Sequence, residues 1–316
     1  MSRFWPLIRL VPRHTHFDFV RLAPFAAVLS ALALLGAGAS FFVQGMNFGV
    51  DFVGGTVMEV TTPGPAPLGP IRADLARLGV HDAQVQIFGG PNAARVQFRS
   101  VEGKEANAGA AFVASQLASQ FPGLRVSGQS TVGAKVSGEL VWSGAFALGT
   151  AMFLMLLYIW FRFQLQFGLG AILALFHDIA LTIGLLCVSQ VEVSMTSIAA
   201  LLTVIGYSMN EKVISFDRLR ENLRKFKRTP LREVINLSEN ERLSRTIITG
   251  TTALLALSGA LFMGGPALFP LVFTMAFGIF IGTYSSIYVA LPVILLWGVR
   301  RDDEEAVPLK PQPARP

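Results

Sequence analysis

Three polar residues in a row, Asn210, Glu211 and Lys212, stand between two apolar runs. The residues before them, from Ile198 onward, are apolar enough for a bilayer, and Val213, Ile214 and Phe216 resume that character. A charged side chain at the bilayer centre costs roughly 2.5–3.5 kcal/mol on insertion scales, so a chain that keeps one there usually turns it into a helix bundle and uses it. His177 and Asp178 follow Leu175 and Phe176 inside a second apolar run, and Arg245 opens a third. Burial favours a neutral carboxyl and a neighbouring arginine favours the ionised one, so a carboxylate held between those pulls can take up and release a proton. A membrane potential supplies about 2.3 kcal/mol per charge per 100 mV. The candidate proton-relay or ion-coupling residues are therefore Glu211, Arg245 and Asp178. Glu211 lies near the end of an inward-running helix and Arg245 at the start of the outward-running one, which places them at similar depth. The alternatives are structural: a span that stops near Ser208 with Glu211 and Lys212 as an interfacial pair, an Asp178 that only holds helices together, or a static Glu211–Arg245 pair.

The elements that carry these residues follow from composition. In 316 residues, 52% are hydrophobic, 15% are charged and the mean hydropathy is +0.54. Such values exclude a soluble domain or a disordered chain and indicate a polytopic membrane protein. The formal charge of +6 and pI near 9.8 do not call for nucleic acid, because Lys and Arg concentrate in short segments between apolar runs, as cytoplasmic loops require. Six spans are expected: residues 24–44, 141–160, 168–188, a fourth that starts at 198 and continues as a helix toward Asn222, 246–265 and 268–297. A basic N-terminus (1–23), a basic loop (about 217–245) and a Pro-rich tail (300–316) then lie in the cytoplasm. The first span is read as uncleaved, despite the small residues AGAS at 37–40. The only cysteine, Cys187, allows no internal disulfide. In the last span Gly278 and Gly282 have GxxxG spacing, which lets helices approach closely.

Residues 45–140 are of a different kind. NFGVDFVGGT at 47–56 combines three glycines with Asp51 where a helix leaves the membrane, either a special backbone geometry or a simple turn. Beyond it, alternating and helical patterns succeed one another: strand 56–61, helix 67–78 with Ile71, Leu75 and Leu78 on one face, strands 83–88 and 94–98 joined by GGPN, helix 106–120 and strand 124–131. The order β-α-β-β-α-β predicts a small external ferredoxin-like domain, one that recognises or braces something. His81 beside Asp82 is read as a solvated turn residue. No metal spacing, nucleophile triad or phosphate loop is present, so no enzyme activity, catalytic residue, metal or cofactor is expected.

Several segments together resemble the SecF family, the smaller membrane subunit of the SecD–SecF complex of bacterial protein export, related to the RND transporters. They are GVDFVGG (49–55), VGAKVSGEL (132–140), RFQLQF (162–167), ALFHDIALTIG (174–184), IGYSMNEKVISFDRLREN (205–222), LSRTIITGTTALLAL (243–257) and GTYSSIYVALP (282–292). The resemblance implies a six-helix integral membrane protein of the bacterial inner membrane with an external ferredoxin-like domain and both termini cytoplasmic. Its implied work is to couple the proton-motive force to late preprotein translocation, with SecD as heterodimer partner, the SecYEG channel and YajC as further partners, and membrane lipid around it. The family's charged relay falls on Glu211 and Arg245, with Asp178 in a His-Asp motif and Gly49, Asp51, Gly54, Gly55, Asn210 and Tyr284 as motif residues. The chain departs from the family's Asn-Asp-Thr at Glu211 and Lys212, and adds charge at Glu241 and Arg242, which suggests paired compensation. An RND-type exporter half for a small molecule or lipid, or a passive scaffold, are the competing readings.

Overall fold

The computed structural model describes residues 15–80, 83–99, 101 and 104–298. His81 and Asp82, the first fourteen residues and the tail beyond 298 lie outside them. Among the described residues, five helices are long and apolar enough to cross a membrane: α1 (Phe19–Val43), α5 (Ala134–Arg162), α6 (Leu165–Ser189), α8 (Leu231–Met263) and the run Gly265–Trp297. That last run is α9 (Gly265–Ser285), a π-helical turn (Ser286–Ala290) and α10 (Leu291–Trp297). A further helix, α7 (Met195–Lys225), has 31 residues and the most buried polar residues of any helix described. Its charges lower its mean hydropathy, and they can be tolerated because α6, α8 and α9 surround it.

The extramembrane part has the element order expected from its patterning. A one-turn helix α2 (Val50–Val53) leads into β1 (Gly55–Thr61), α3 (Leu68–Arg77), β2 (Gln84–Ile87), β3 (Ala93–Phe98), α4 (Ala106–Gln120) and β4 (Arg125–Val132). The sheet runs β2-β3-β1-β4 with every neighbour antiparallel. Alternation sets the buried face: in β3, Ala94, Val96 and Phe98 point inward and pack with Met58 and Val60 of β1. Ile71 and Leu75 of α3 and Val113 and Leu117 of α4 cover that face. The register of β1 on β4 shifts between Glu59 and Val60.

One difference from the expected spans has a physical reason. The basic stretch is a helical hairpin rather than a loop: α7 continues past Asn222, as expected, to Lys225, and α8 starts already at Leu231, right after Pro230. Proline suits a helix start, where its missing N–H is not needed. The amphipathic ends of both helices bury Leu219, Leu223, Val234 and Ile235 against each other and the core. The segment before α1 is also tied to α8. Asn240 donates to the Phe17 carbonyl and accepts from its N–H (both 2.8 Å), and Asn236 donates to Asp18 (2.8 Å).

Candidate functional site

Successive residues of an α-helix point about 100° apart. Glu211 and Lys212 on α7 therefore face different neighbours, and both are fully buried, at 1% and 0% exposure. Lys212 turns toward α6 and α9. Its Nζ lies 2.8 Å from Asp178 Oδ2 and 3.1 Å from Ser285 Oγ, and it also donates to the Ser208 hydroxyl. Asp178 Oδ2 additionally accepts from Ser285 (2.8 Å) and from Ser208, while Oδ1 meets His177 Nδ1 at 3.0 Å. From there a hydrogen-bonded chain continues to α1: His177 Nε2 to Ser30 Oγ at 3.2 Å, then Ser30 Oγ to Tyr284 OH at 2.9 Å. The Tyr284 ring stacks on His177 at 6.0 Å, and its hydroxyl donates to the Ala26 carbonyl at 2.8 Å. A buried ion pair holds only when its remaining lone pairs and protons are also satisfied, and this one is closed on every side.

Glu211 turns toward α8. Arg242 Nη1 lies 3.3 Å from its Oε2, and Thr246 Oγ1 donates to the same oxygen at 3.2 Å. Arg242 binds Glu239 more tightly, with Nε and Nη2 both 2.7 Å from Oε2. Ser215 of α7 donates to the other Glu239 oxygen at 2.7 Å, and Arg242 Nη2 donates to Ser286 at 2.8 Å. Glu239, Arg242 and Thr246 share one face of α8, as the spacing of three and four residues requires. Ser285 and Ser286, the last residue of α9 and the first of the π-helical turn, serve the Asp178 and Arg242 clusters respectively.

The expected pairing of Glu211 with Arg245 is not what the structure shows. Arg245 lies at the margin of the inward face of α8 and its side chain is exposed, with no ion pair to any described residue. Arg242, one turn earlier, takes its place beside Glu211. The expected compensation among the added charges also resolves differently. Lys212 pairs with Asp178 of α6, Arg242 is shared by Glu211 and Glu239, and Glu241 pairs with Arg218 at 2.7 Å on the outer side. Lys212 and Arg242, expected only as added charges, are thus ion-pair partners within the site, and Glu239 joins them with no expectation attached to it. The visible signal for two of them was Glu239 and Arg242 at i, i+3 beside a span. Asn210 faces outward on α7. No group of three His, Cys, Asp or Glu side chains among the described residues is arranged to hold a metal ion.

Residues 113–300, more than half of the chain, match the family described as protein export membrane protein SecD/SecF, C-terminal, and residues 39–62 match the SecD/SecF GG motif. The protein translocase subunit SecF of Rhodobacter capsulatus is 41% identical over 316 residues, covering 95% of both chains. The chain belongs to the SecF family. The SecF of Magnetococcus marinus is 42% identical over 289 residues, covering 89% of this chain and 92% of that one. A crystal structure of SecDF from Thermus thermophilus superposes with a TM-score of 0.82 at 32% identity, covering 90% of this chain and 39% of that longer one.

In this SecF-family chain the GG motif has a definite job. Gly49 donates to the Val193 carbonyl at 2.9 Å, and a side chain there would meet Glu192 at 2.5 Å. Asp51 Oδ2 accepts from the N–H of Met195, the first residue of α7, at 2.9 Å. A carboxylate suits that end of a helix, where N–H groups are unpaired and the dipole is positive. Gly54 and Gly55 have φ of +76° and +125°, and a Cβ on Gly55 would lie 2.5 Å from the Phe98 carbonyl. Arg95 of β3 adds an ion pair to Glu192 in the α6–α7 loop at 2.6 Å. The external domain is therefore fastened to the outer end of the helix that carries Glu211 and Lys212. Gly278 and Gly282 of α9 allow that helix against α7: a Cβ on Gly278 would lie 2.1 Å from Val204, and one on Gly282 3.0 Å from Ser208.

Proposed function

We propose that this chain is a subunit of the Sec protein-export machinery that acts with SecD and uses the proton-motive force to promote late steps of preprotein translocation across the bacterial inner membrane. The observation that carries this reading is Glu211, a fully buried carboxylate on a helix whose outer end is tied to the external domain. Protonation at Glu211 changes its attraction to Arg242, and a change in the seating of α7 reaches the external domain through Asp51. In this reading Arg245, exposed on α8, meets the SecD partner rather than Glu211. Asp178 acts in this reading as the fixed counter-ion of Lys212.

The same reading has six membrane spans. At 1.5 Å per residue, α7 is roughly 46 Å long, enough for a hydrocarbon core of about 30 Å, and its charges face protein rather than lipid. The basic α7–α8 hairpin then lies in the cytoplasm with both termini. The external domain is ferredoxin-like, on the strength of its β-α-β-β-α-β order and β2-β3-β1-β4 sheet. SecYEG and YajC are the further partners this role calls for. The test is export in cells whose only copy carries Glu211→Gln or Arg242→Met at normal protein level. The expected result is accumulation of unprocessed precursor in both. Normal export in both would leave a passive scaffold and end the coupling reading.

A further inference from the structure

We propose that Glu211 and Glu239 form one proton-binding unit around Arg242, a pair of carboxyl groups that shares a single guanidinium and therefore retains a single proton. This deepens the coupling role given to Glu211 and adds Glu239 as its positioning partner. Both carboxyl groups are fully buried, as is Arg242 at 4% exposure. Both contact the one guanidinium, and carboxyl groups that share a site out of water disfavour double ionisation. The other charged groups nearby are already committed. Lys212 is closed onto Asp178, which His177 also contacts. Arg218 pairs with Glu221 and Glu241 at the outer edge of the hairpin. Arg245 is exposed. Tyr207, one turn before Glu211, and Tyr288, in the π-helical turn, supply phenols but no positive charge. Three carboxylates thus face two buried cations, and the deficit falls at Arg242.

The unequal distances describe the resting state. Arg242 and Ser215 give Glu239 contacts of 2.7 Å, whereas Glu211 is held at 3.2–3.3 Å by Thr246 and Arg242. The guanidinium thus neutralises Glu239 more closely than Glu211. Moving α7 relative to α8 alters the contacts that Glu211 and Ser215 make, because both travel with α7 while Arg242 and Glu239 travel together on α8. Glu239 thus competes with Glu211 for the same guanidinium.

The test is infrared spectroscopy of the purified full-length chain in detergent, with glutamate carboxyl carbons labelled with ¹³C. A protonated carboxylic acid has a carbonyl stretch that a carboxylate lacks, and the label separates glutamate from aspartate. At neutral pH the wild type should show one label-sensitive acid band. Glu211→Gln and Glu239→Gln should each reduce it to background, because either leaves one carboxylate for one guanidinium. Glutamine is nearly isosteric and keeps an acceptor for Ser215 or Thr246, and monodisperse elution with native helix content checks the fold. No acid band in the wild type, or a band that survives either substitution, would overturn the shared unit. If the bands behave as expected while cells carrying Glu211→Gln export normally, the proton unit stands and the export-coupling reading falls.

Discussion

Replacing Asp178 by asparagine should strand Lys212. The ammonium is fully buried and Asp178 is its only ion-pair partner among the described residues, at 2.8 Å. In Asp178→Asn the Ser208 and Ser285 hydroxyls remain beside it, but a full positive charge is left without a counter-charge. Breaking a buried pair from one side typically costs about 3–5 kcal/mol, whereas exchanging both partners for neutral groups of similar volume is often close to neutral. Adding Lys212→Met should therefore restore most of what Asp178→Asn removes, with a coupling energy of at least about 2 kcal/mol, toward the upper end found for contacting residues. The single cysteine offers the assay. Cys187 is buried on α6, so the rate at which a thiol-reactive dye labels it on heating reports opening of the bundle. The single variant should label at lower temperature than wild type, and the double variant close to wild type. If the double variant proved as unstable as the sum of its singles, the Asp178–Lys212 contact would have no energetic content and the reasoning would be refuted.

Gly278→Ala should destabilise the α7–α9 contact by about 1–3 kcal/mol, the usual cost of overpacking, because the new methyl meets Val204 at 2.1 Å. Val204→Ala in the same chain should recover part of it in the same labelling assay. Asp51→Ala should cost about 0.5–2 kcal/mol, as loss of a helix cap does, with hydrogen exchange rising first at the start of α7. Unchanged exchange there would remove Asp51 from the link between domain and helix. At the other face, the Asn236 amide and the Arg21 N–H hold the Asp18 carboxyl below the usual aspartate value of 3.8. A depressed value in the fold means its stabilisation is complete above pH 3.8 and is lost as pH falls through the lower folded value. Asp18→Asn should remove that part of the acid sensitivity, visible as a smaller difference in labelling temperature between neutral and strongly acidic buffer.

Much of this architecture was legible in local pattern. Strand alternation in residues 93–98, the Ile71–Leu75 stripe and the long apolar runs each reflect a period that burial imposes within one element. Glu211 and Asp178 were legible as site candidates because a charge inside an apolar run is costly anywhere. The α8 half of the α7–α8 hairpin was not, since the basic residues beyond Asn222 read as a loop while Val234 and Ile235 find their burial only against Leu219, Leu223 and the core. The place of Asp51 was half legible: the glycines announced a special backbone, but nothing near residue 51 names Met195, 144 positions away.

By itself the amino-acid order determined the membrane class, the succession of elements and the family, because hydropathy, short-range periodicity and motif spacing are properties of neighbouring residues. Tertiary structure alone decided which cation stands beside Glu211, that Lys212 belongs to Asp178, and that Glu239 shares the guanidinium. Those choices depend on how far each helix is rotated about its axis and how closely α7 lies against α8 and α9. Rotation and approach are set by packing, at Gly278 against Val204 and at the π-helical turn that presents Ser285 and Ser286.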